Sequence, residues 1–555
     1  MTEKAKNRIR DSYGVNMTVC GDYDQSLSAR CENGIFVGRK SESICEFRGI
    51  PFAKPPVGKL RWKAPEPVES SDIVMQAYYN GKSPIQTEWP SEQASYYPQG
   101  EDCLYLNIWK NLDDTTPDKP VMVFIHGGSY GWGGTADPMY DGKNFVSAHP
   151  DIILVSIGYR IGLMGFVDLS YFEGGEDYPD APNLGILDQI EALRWIQRNI
   201  RAFGGNPKNV TIFGESAGGG SVSLLPMIPC AKGLFCRVIA ESGSVALTFS
   251  KEECREFSKK LKHMSGAQSV SQLQRLSEFD LQQINEKLNQ YNNFPQRDGK
   301  LIPLNPYKPY ENGETADIDM LIGTNAEEMN YWIEEVGGMT PYRLLSSIKF
   351  ENDMKILSAS DKKRVRDFIS LKKEERICRM SRFYDEMMFR LPAVEQARLH
   401  SKNGGKTYMY YWTVPSTLPM HKACHAVELA YVFGNRDETI YTGEPADKSL
   451  SDTVMQMWTN FARTGDPSTD SLTWERYSEP ERATMVIDRH PYMQNDILRS
   501  QRELLSPLLR YMINPSYAML DYNVPFIRKA VAGGLALTAG LAAVIIFAIK
   551  SLSKD

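Results

Sequence analysis

One short run constrains this chain more than any other. Val210-Thr211-Ile212-Phe213 is β-rich and apolar, and it runs directly into Gly214-Glu215-Ser216-Ala217-Gly218, followed by Gly219-Gly220-Ser221-Val222. A strand that enters G-x-S-x-G and leaves through small residues able to start a helix presents its serine on a tight, strained turn. The new helix aims free N–H groups at any negative charge that develops beside that serine. The chain must therefore build a strand–turn–helix unit with Ser216 at its apex.

Further apolar runs supply a sheet around that unit. Val121–Ile125, Ile152–Ile157, Val238–Ala240, Met320–Ile322, Tyr408–Trp412 and Thr484–Ile487 all read as strands. Continuous apolar runs suit strands buried on both faces, as in a largely parallel sheet. Leu187, Ile190, Leu193, Ile196 and Ile200 recur at helical spacing and stop at Gly204-Gly205-Asn206-Pro207. Strand, helix and strand then form a βαβ unit. The charged stretches 250–290 and 351–400 read as solvated helices that decorate or lid the sheet.

Composition removes several function classes. The chain has 555 residues, 63 Lys plus Arg against 69 Asp plus Glu, and a net charge of −6. A basic excess for nucleic acid is missing. Nine cysteines in this length do not make a disulfide scaffold. No metal-ligand cluster or phosphate loop stands out, so neither metal nor cofactor is expected.

The two termini differ. The N-terminus is basic, but no apolar h-region follows it, so no secretory signal is read there. Val531–Ile549 carries no charge and lies between Arg528-Lys529 and Lys550. As a helix it would run about 28 Å, the thickness of a hydrocarbon core. The expectation is one C-terminal transmembrane helix that tail-anchors the protein in a membrane, with the catalytic domain facing the cytosol. The division is then 1–511 catalytic domain, 512–530 juxtamembrane linker, 531–549 span and 550–555 polar tail.

A serine hydroxyl needs a base, a group that orients the base, and donors for the oxyanion. His126-Gly127-Gly128-Ser129 follows a strand and matches an HGG oxyanion loop, so the N–H groups of Gly127, Gly128 and Ala217 are the candidate donors. His126 itself reads as a structural residue. In the chain order Ser, acid, His, the bases left are His263, His400, His421, His425 and His490, and spacing does not separate His421 from His425.

The sequence resembles the type-B carboxylesterase/cholinesterase family of α/β-hydrolases from about Asn33 to Arg510. The likeness rests on Glu46–Pro56 (EFRGIPFAKPP), Glu101–Trp109 (EDCLYLNIW), Asn183–Gln189 (NLGILDQ), Phe203–Pro207 (FGGNP), Val210–Gly219 and Glu241-Ser242-Gly243-Ser244. It implies an α/β-hydrolase fold with a large, mostly parallel central sheet and helical insertions. It also implies a serine carboxylesterase of broad specificity that works through an acyl-serine. The alternatives are a related hydrolase of amides, thioesters, carbamates or lipid esters, a cholinesterase, or a non-catalytic adhesion or scaffold protein.

The resemblance assigns the acid and base. Gly323-Thr324-Asn325-Ala326-Glu327-Glu328 matches the acid pattern with Glu328 as the acid. His425-Ala426-Val427-Glu428 before Phe433-Gly434 matches the histidine run, with Ala426 where the family has glycine. It further suggests an Arg48–Glu101 ion pair, a place for Trp89 in the substrate pocket, and free thiols at Cys103 and Cys254, whose usual partners are missing.

Overall fold

The computed structural model describes residues 3–86, 98–288, 293–335, 338–371 and 376–511. The strands read above form the middle of a single sheet of eleven. In chain order these are β1 (Arg39–Ser41), β2 (Ile44–Pro51), β3 (Tyr105–Asn111), β4 (Lys119–Ile125), β5 (Ile153–Ile157), β6 (Gly205–Glu215), β7 (Arg237–Glu241), β8 (Asp319–Asn325), β9 (Thr407–Trp412), β10 (Ala483–Ile487) and β11 (Tyr492–Asn495). Their order across the sheet is β11-β10-β9-β8-β7-β6-β4-β5-β3-β2-β1. From β5 to β10 every pairing is parallel. The edges are antiparallel: β1, β2 and β3 on one side and β11 on the other. The sheet is therefore mixed, with the expected parallel arrangement at its centre.

The continuous apolar runs arise because the sheet serves two cores. Side chains alternate across a strand. Val121, Val123 and Ile125 of β4 point into one core, with Ile190, Leu193 and Ile196 of helix α1 (Leu184–Asn199). Met122 and Phe124 point into the other, with Val454, Trp458 and Phe461 of a helix over Lys448–Thr464. All five β4 residues are fully buried. After α1, a short 3-10 turn over Ile200–Phe203 ends at Gly204, whose φ of 93° turns the chain into β6.

The charged stretches are helical as expected. Lys251–Ser265 and Glu278–Leu288 pack on one flank. Met339–Ile356, Ala359–Ser370 and Arg376–Tyr384 surround a third core of Tyr342, Phe350, Phe368 and Phe383.

The membrane expectation is corrected. Among the described residues no helix is long and apolar enough to cross a membrane. Met339–Ile356 has 18 residues, but Arg343, Lys349, Glu351, Asp353 and Lys355 punctuate it, and such charges are costly in hydrocarbon. The run 531–549 lies outside the described residues, as do the 512–530 linker and the 550–555 tail. The fold is thus an α/β-hydrolase sheet with helical insertions and no transmembrane helix among the described residues. The tail anchor and the membrane as a partner rested on that span, and the cytosol-facing placement joined it to the missing secretory signal; all three are withdrawn.

Two side-chain expectations also resolve. Arg48 does not pair with Glu101: it donates to Asp141 at 2.6 Å and to Glu46 at 3.0 Å. Glu101 instead accepts from Arg61 Nε at 2.7 Å. Cys103 and Cys254 are both free and buried.

Candidate active site

β6 ends at Glu215 and helix α2 (Ala217–Leu224) begins one residue after Ser216. Ser216 carries the turn at φ 58°, ψ −119°, a conformation that costs a non-glycine residue of order 1–3 kcal/mol. The turn closes only because its neighbours are small. A Cβ on Gly218 would lie 1.9 Å from the carbonyl oxygen of Ile125, so α2 packs directly on the end of β4.

Behind β4, the chain turns at Gly128 with φ 99°. Gly127 and Gly128 donate no backbone hydrogen bond among the described residues. Ala217 is the first residue of α2, so its N–H has no intrahelical acceptor. Gly127, Gly128 and Ser216 line one small cavity of about 60 Å³, together with His425 and the aromatic rings of Trp132, Tyr331, Trp332 and Tyr441. His126 turns away from it. Its Nδ1 lies 2.8 Å from Gly127 O, and its ring stacks on Tyr159 with centroids 4.4 Å apart. Burial pushes its pKa down to about 4, so it is a neutral structural residue.

Glu328 sits three residues past the end of β8, fully buried, at the start of a short 3-10 turn. Its Oε2 is 2.7 Å from His425 Nδ1. Its Oε1 accepts from Ser242 Oγ and from the Asn325 backbone N–H, each at 2.7 Å. Both carboxylate oxygens are thereby held. Neighbouring Glu327 faces elsewhere and accepts from Ala423 N at 3.2 Å.

His425 is boxed by the rings of Phe389 and Trp332, with centroids 5.0 and 5.1 Å away. His421 lies apart, with Nδ1 3.1 Å from Pro419 O. Ala426 adopts φ 65°. That left-handed turn explains the glycine of the family pattern, and here alanine bears a cost of roughly 1–2 kcal/mol. Trp89 lies outside the described residues.

Residue roles that the sequence left unmarked appear here. Ser242 and Asn325 clamp the Glu328 carboxylate, and Asn325 Nδ2 also donates to Glu428 Oε2 at 2.6 Å. Glu215 Oε1 comes within 3.1 Å of His425 Nε2, yet the pair is not aligned as a hydrogen bond, and Nε2 has no protein partner among the described residues. Burial, reinforced by the nearby carboxylates of Glu328 and Glu241, raises the pKa of Glu215 well above the usual carboxyl range.

Glu241 gives a stability prediction. Burial raises its carboxyl from 4.5 to about 7, against the single hydrogen bond from Trp458 Nε1 at 2.5 Å. The folded state then holds this proton more tightly than the unfolded chain. Its contribution is present below about pH 4.5 and lost as pH rises towards 7. Glu241→Gln keeps an acceptor for Trp458 and cannot ionise. It should gain up to about 3 kcal/mol on the parent between pH 4 and pH 8, read by urea denaturation at both. An equal difference at the two pH values would contradict this.

The Carboxylesterase family profile matches residues 25–504. The chain belongs to the carboxylesterase family. It is 36% identical over 488 residues to a para-nitrobenzyl esterase of Bacillus subtilis (strain 168), covering 85% of this chain and 96% of that one. It is 32% identical over 505 residues to a liver carboxylesterase of Sus scrofa, covering 80% and 85%. Among solved structures, a thermophilic pNB esterase superposes with a TM-score of 0.75 at 32% identity, covering 87% of this chain and 100% of the other. A Geobacillus stearothermophilus carboxylesterase gives 0.77 at 30%, covering 86% and 99%. The protein is accordingly a carboxylic-ester hydrolase of the serine-esterase type. In this esterase the strand-end loops of β4, β6 and β8 meet at one cavity, where an α/β sheet presents its chemistry.

Proposed function

We propose that Ser216 is the nucleophile of this esterase, His425 its general base and Glu328 the acid that orients the base. The observation that carries this is the 2.7 Å contact between Glu328 Oε2 and His425 Nδ1, at a cavity that Ser216, Gly127 and Gly128 also line. With Nδ1–H held by the carboxylate, Nε2 carries the free lone pair. It takes the Ser216 proton as Oγ attacks the ester carbonyl. The carbonyl oxygen gains charge and is met by the N–H groups of Gly127, Gly128 and Ala217. His425 then protonates the leaving alcohol, and the acyl group stays on Ser216. In the second half, Nε2 takes a proton from water, water attacks the acyl carbon, and the acid leaves as Oγ recovers its proton.

The cavity also argues for the size of substrate. About 60 Å³ holds the reacting end of an ester, well short of the several hundred Å³ that encloses a drug-sized ligand. Short acyl groups should fit without moving the aromatic walls. In a p-nitrophenyl ester series, kcat/KM should be highest from acetate to butyrate. It should fall by about tenfold or more by decanoate, because each extra methylene must displace packed rings. A profile rising monotonically to decanoate would overturn the size argument, and no turnover of any ester would overturn the site.

A further inference from the structure

The first residues of the described chain meet loops that also wall the cavity. Helix Glu3–Asp11 and the turn after it precede the stretch that the family profile matches. Three of their side chains reach three separate loops, and each loop supplies wall to the Ser216 cavity. Arg8 pairs with Glu438, in the loop that carries Tyr441. Ile9 is almost wholly buried against Ala136, beside Asp137 and Tyr140. Tyr13 places its hydroxyl 3.2 Å from Ser83 Oγ, in the segment that carries Gln86. Tyr441, Asp137, Tyr140 and Gln86 all line the cavity.

The loops are also joined to one another. Gln86 Nε2 donates to Gly133 O and Gly133 N donates to Gln86 Oε1, both at 2.9 Å. Ser12 accepts from Asn80 twice, at O and at Oγ, each at 2.9 Å. Asn80 Oδ1 in turn accepts from Asn107, whose Nδ2 also reaches Thr135 O at 3.3 Å. A single helical turn thus ties the rim together at points that do not touch Ser216, Glu328 or His425.

We infer that residues 8–13 form a strap that holds these three loops and so sets how large an ester the cavity admits. The inference rests on the Ser216 cavity being the ester site. A small cavity admits longer acyl chains only when its walls yield, and the walls yield less when they are bound from behind. Arg8, Ile9 and Tyr13 are positioning residues; none of them meets the reacting atoms.

The test compares Ile9→Asp, which places a charge in the buried contact, with the milder double variant Ser12→Ala/Tyr13→Phe and the conservative Ile9→Val. Active sites are first titrated with a fluorophosphonate, then kcat and KM are measured on p-nitrophenyl acetate and octanoate. Ile9→Asp should titrate fully and keep its kcat on acetate. Its octanoate-to-acetate ratio of kcat/KM should rise by about fivefold or more. The double variant should shift the same way, and Ile9→Val should match the parent. If Ile9→Asp does not fold, the double variant alone decides. An unchanged ratio in the folded variants, or a parallel loss on both esters, overturns the strap. A parent that does not titrate at all instead overturns the ester site itself.

Discussion

Ser216→Ala should reduce ester turnover by about 10⁴- to 10⁶-fold while leaving the fold and its melting temperature intact. The size of the loss follows from where the hydroxyl stands. It is carried at φ 58° on the turn between β6 and α2, at the cavity that Gly127 and Gly128 also line. Removing Oγ leaves the oxyanion donors and the histidine in position, with nothing to form the acyl bond. The backbone strain stays, because alanine must adopt the same positive φ. No stability is therefore regained beyond the ordinary effect of a small surface change in the cavity. Turnover within tenfold of the parent, measured on p-nitrophenyl acetate, would remove Ser216 from the mechanism.

The second large effect separates the proposed acid from its neighbour. Glu328→Gln should cost about 10⁴-fold in kcat. The reason lies in the donors around it. Ser242 Oγ and the Asn325 N–H both point at Oε1, so the amide oxygen of glutamine must take that place. Its NH₂ group is then left facing His425 Nδ1. Two donors cannot share that contact, so the imidazole moves its proton to Nε2 and loses its lone pair towards the serine. Glu327→Gln should stay within about threefold, since among the described residues that carboxyl meets Ala423 N and, at 4.0 Å, Lys422. By the same geometry His425→Ala should be nearly inactive, whereas His421→Ala should keep most activity. Steady-state kinetics that rank Glu327 above Glu328 would transfer the acid role.

Much of the fold is legible from local pattern. The β4, β5, β6, β7, β8, β9 and β10 runs were readable because each is apolar on both faces, and the structure buries each on both faces. The two outermost strands carry a weaker signal. β1 reads Arg39-Lys40-Ser41 and β11 reads Tyr492-Met493-Gln494-Asn495, largely exposed in the structure, and polar edges do not resemble core strands. Helix Glu3–Asp11 escaped for a related reason: among its described side chains only Ile9 is buried, in a strongly basic segment, and periodicity needs more than one apolar position.

The site was legible unevenly. The proposed nucleophile, Ser216, announces itself by its strand and glycines, whereas the proposed acid and base came from a family likeness. Spacing alone could not separate His425 from His421, four residues away, because the choice depends on which of them meets a loop almost one hundred positions upstream. Arg48 shows the same limit. Several carboxylates are in reach of an arginine in principle, and only packing selects Asp141 and Glu46 over Glu101. Ser242 was visible within a matching segment, but its bond to Glu328 spans two strand ends and has no sequence signature. The charge-free run near the C-terminus shows the reverse error. A long apolar stretch reads as a span by length and flanks, and among the described residues nothing supports that assignment.

The most direct test of the account is to find where the acyl-enzyme forms. The full-length protein is treated with a fluorophosphonate, digested and sequenced by tandem mass spectrometry. The account predicts one adduct per chain, on the Ser216 hydroxyl, formed at a rate that falls by orders of magnitude in Glu328→Gln and not in Glu327→Gln. An adduct on any other residue, or labelling of Ser216 that ignores Glu328, would contradict it.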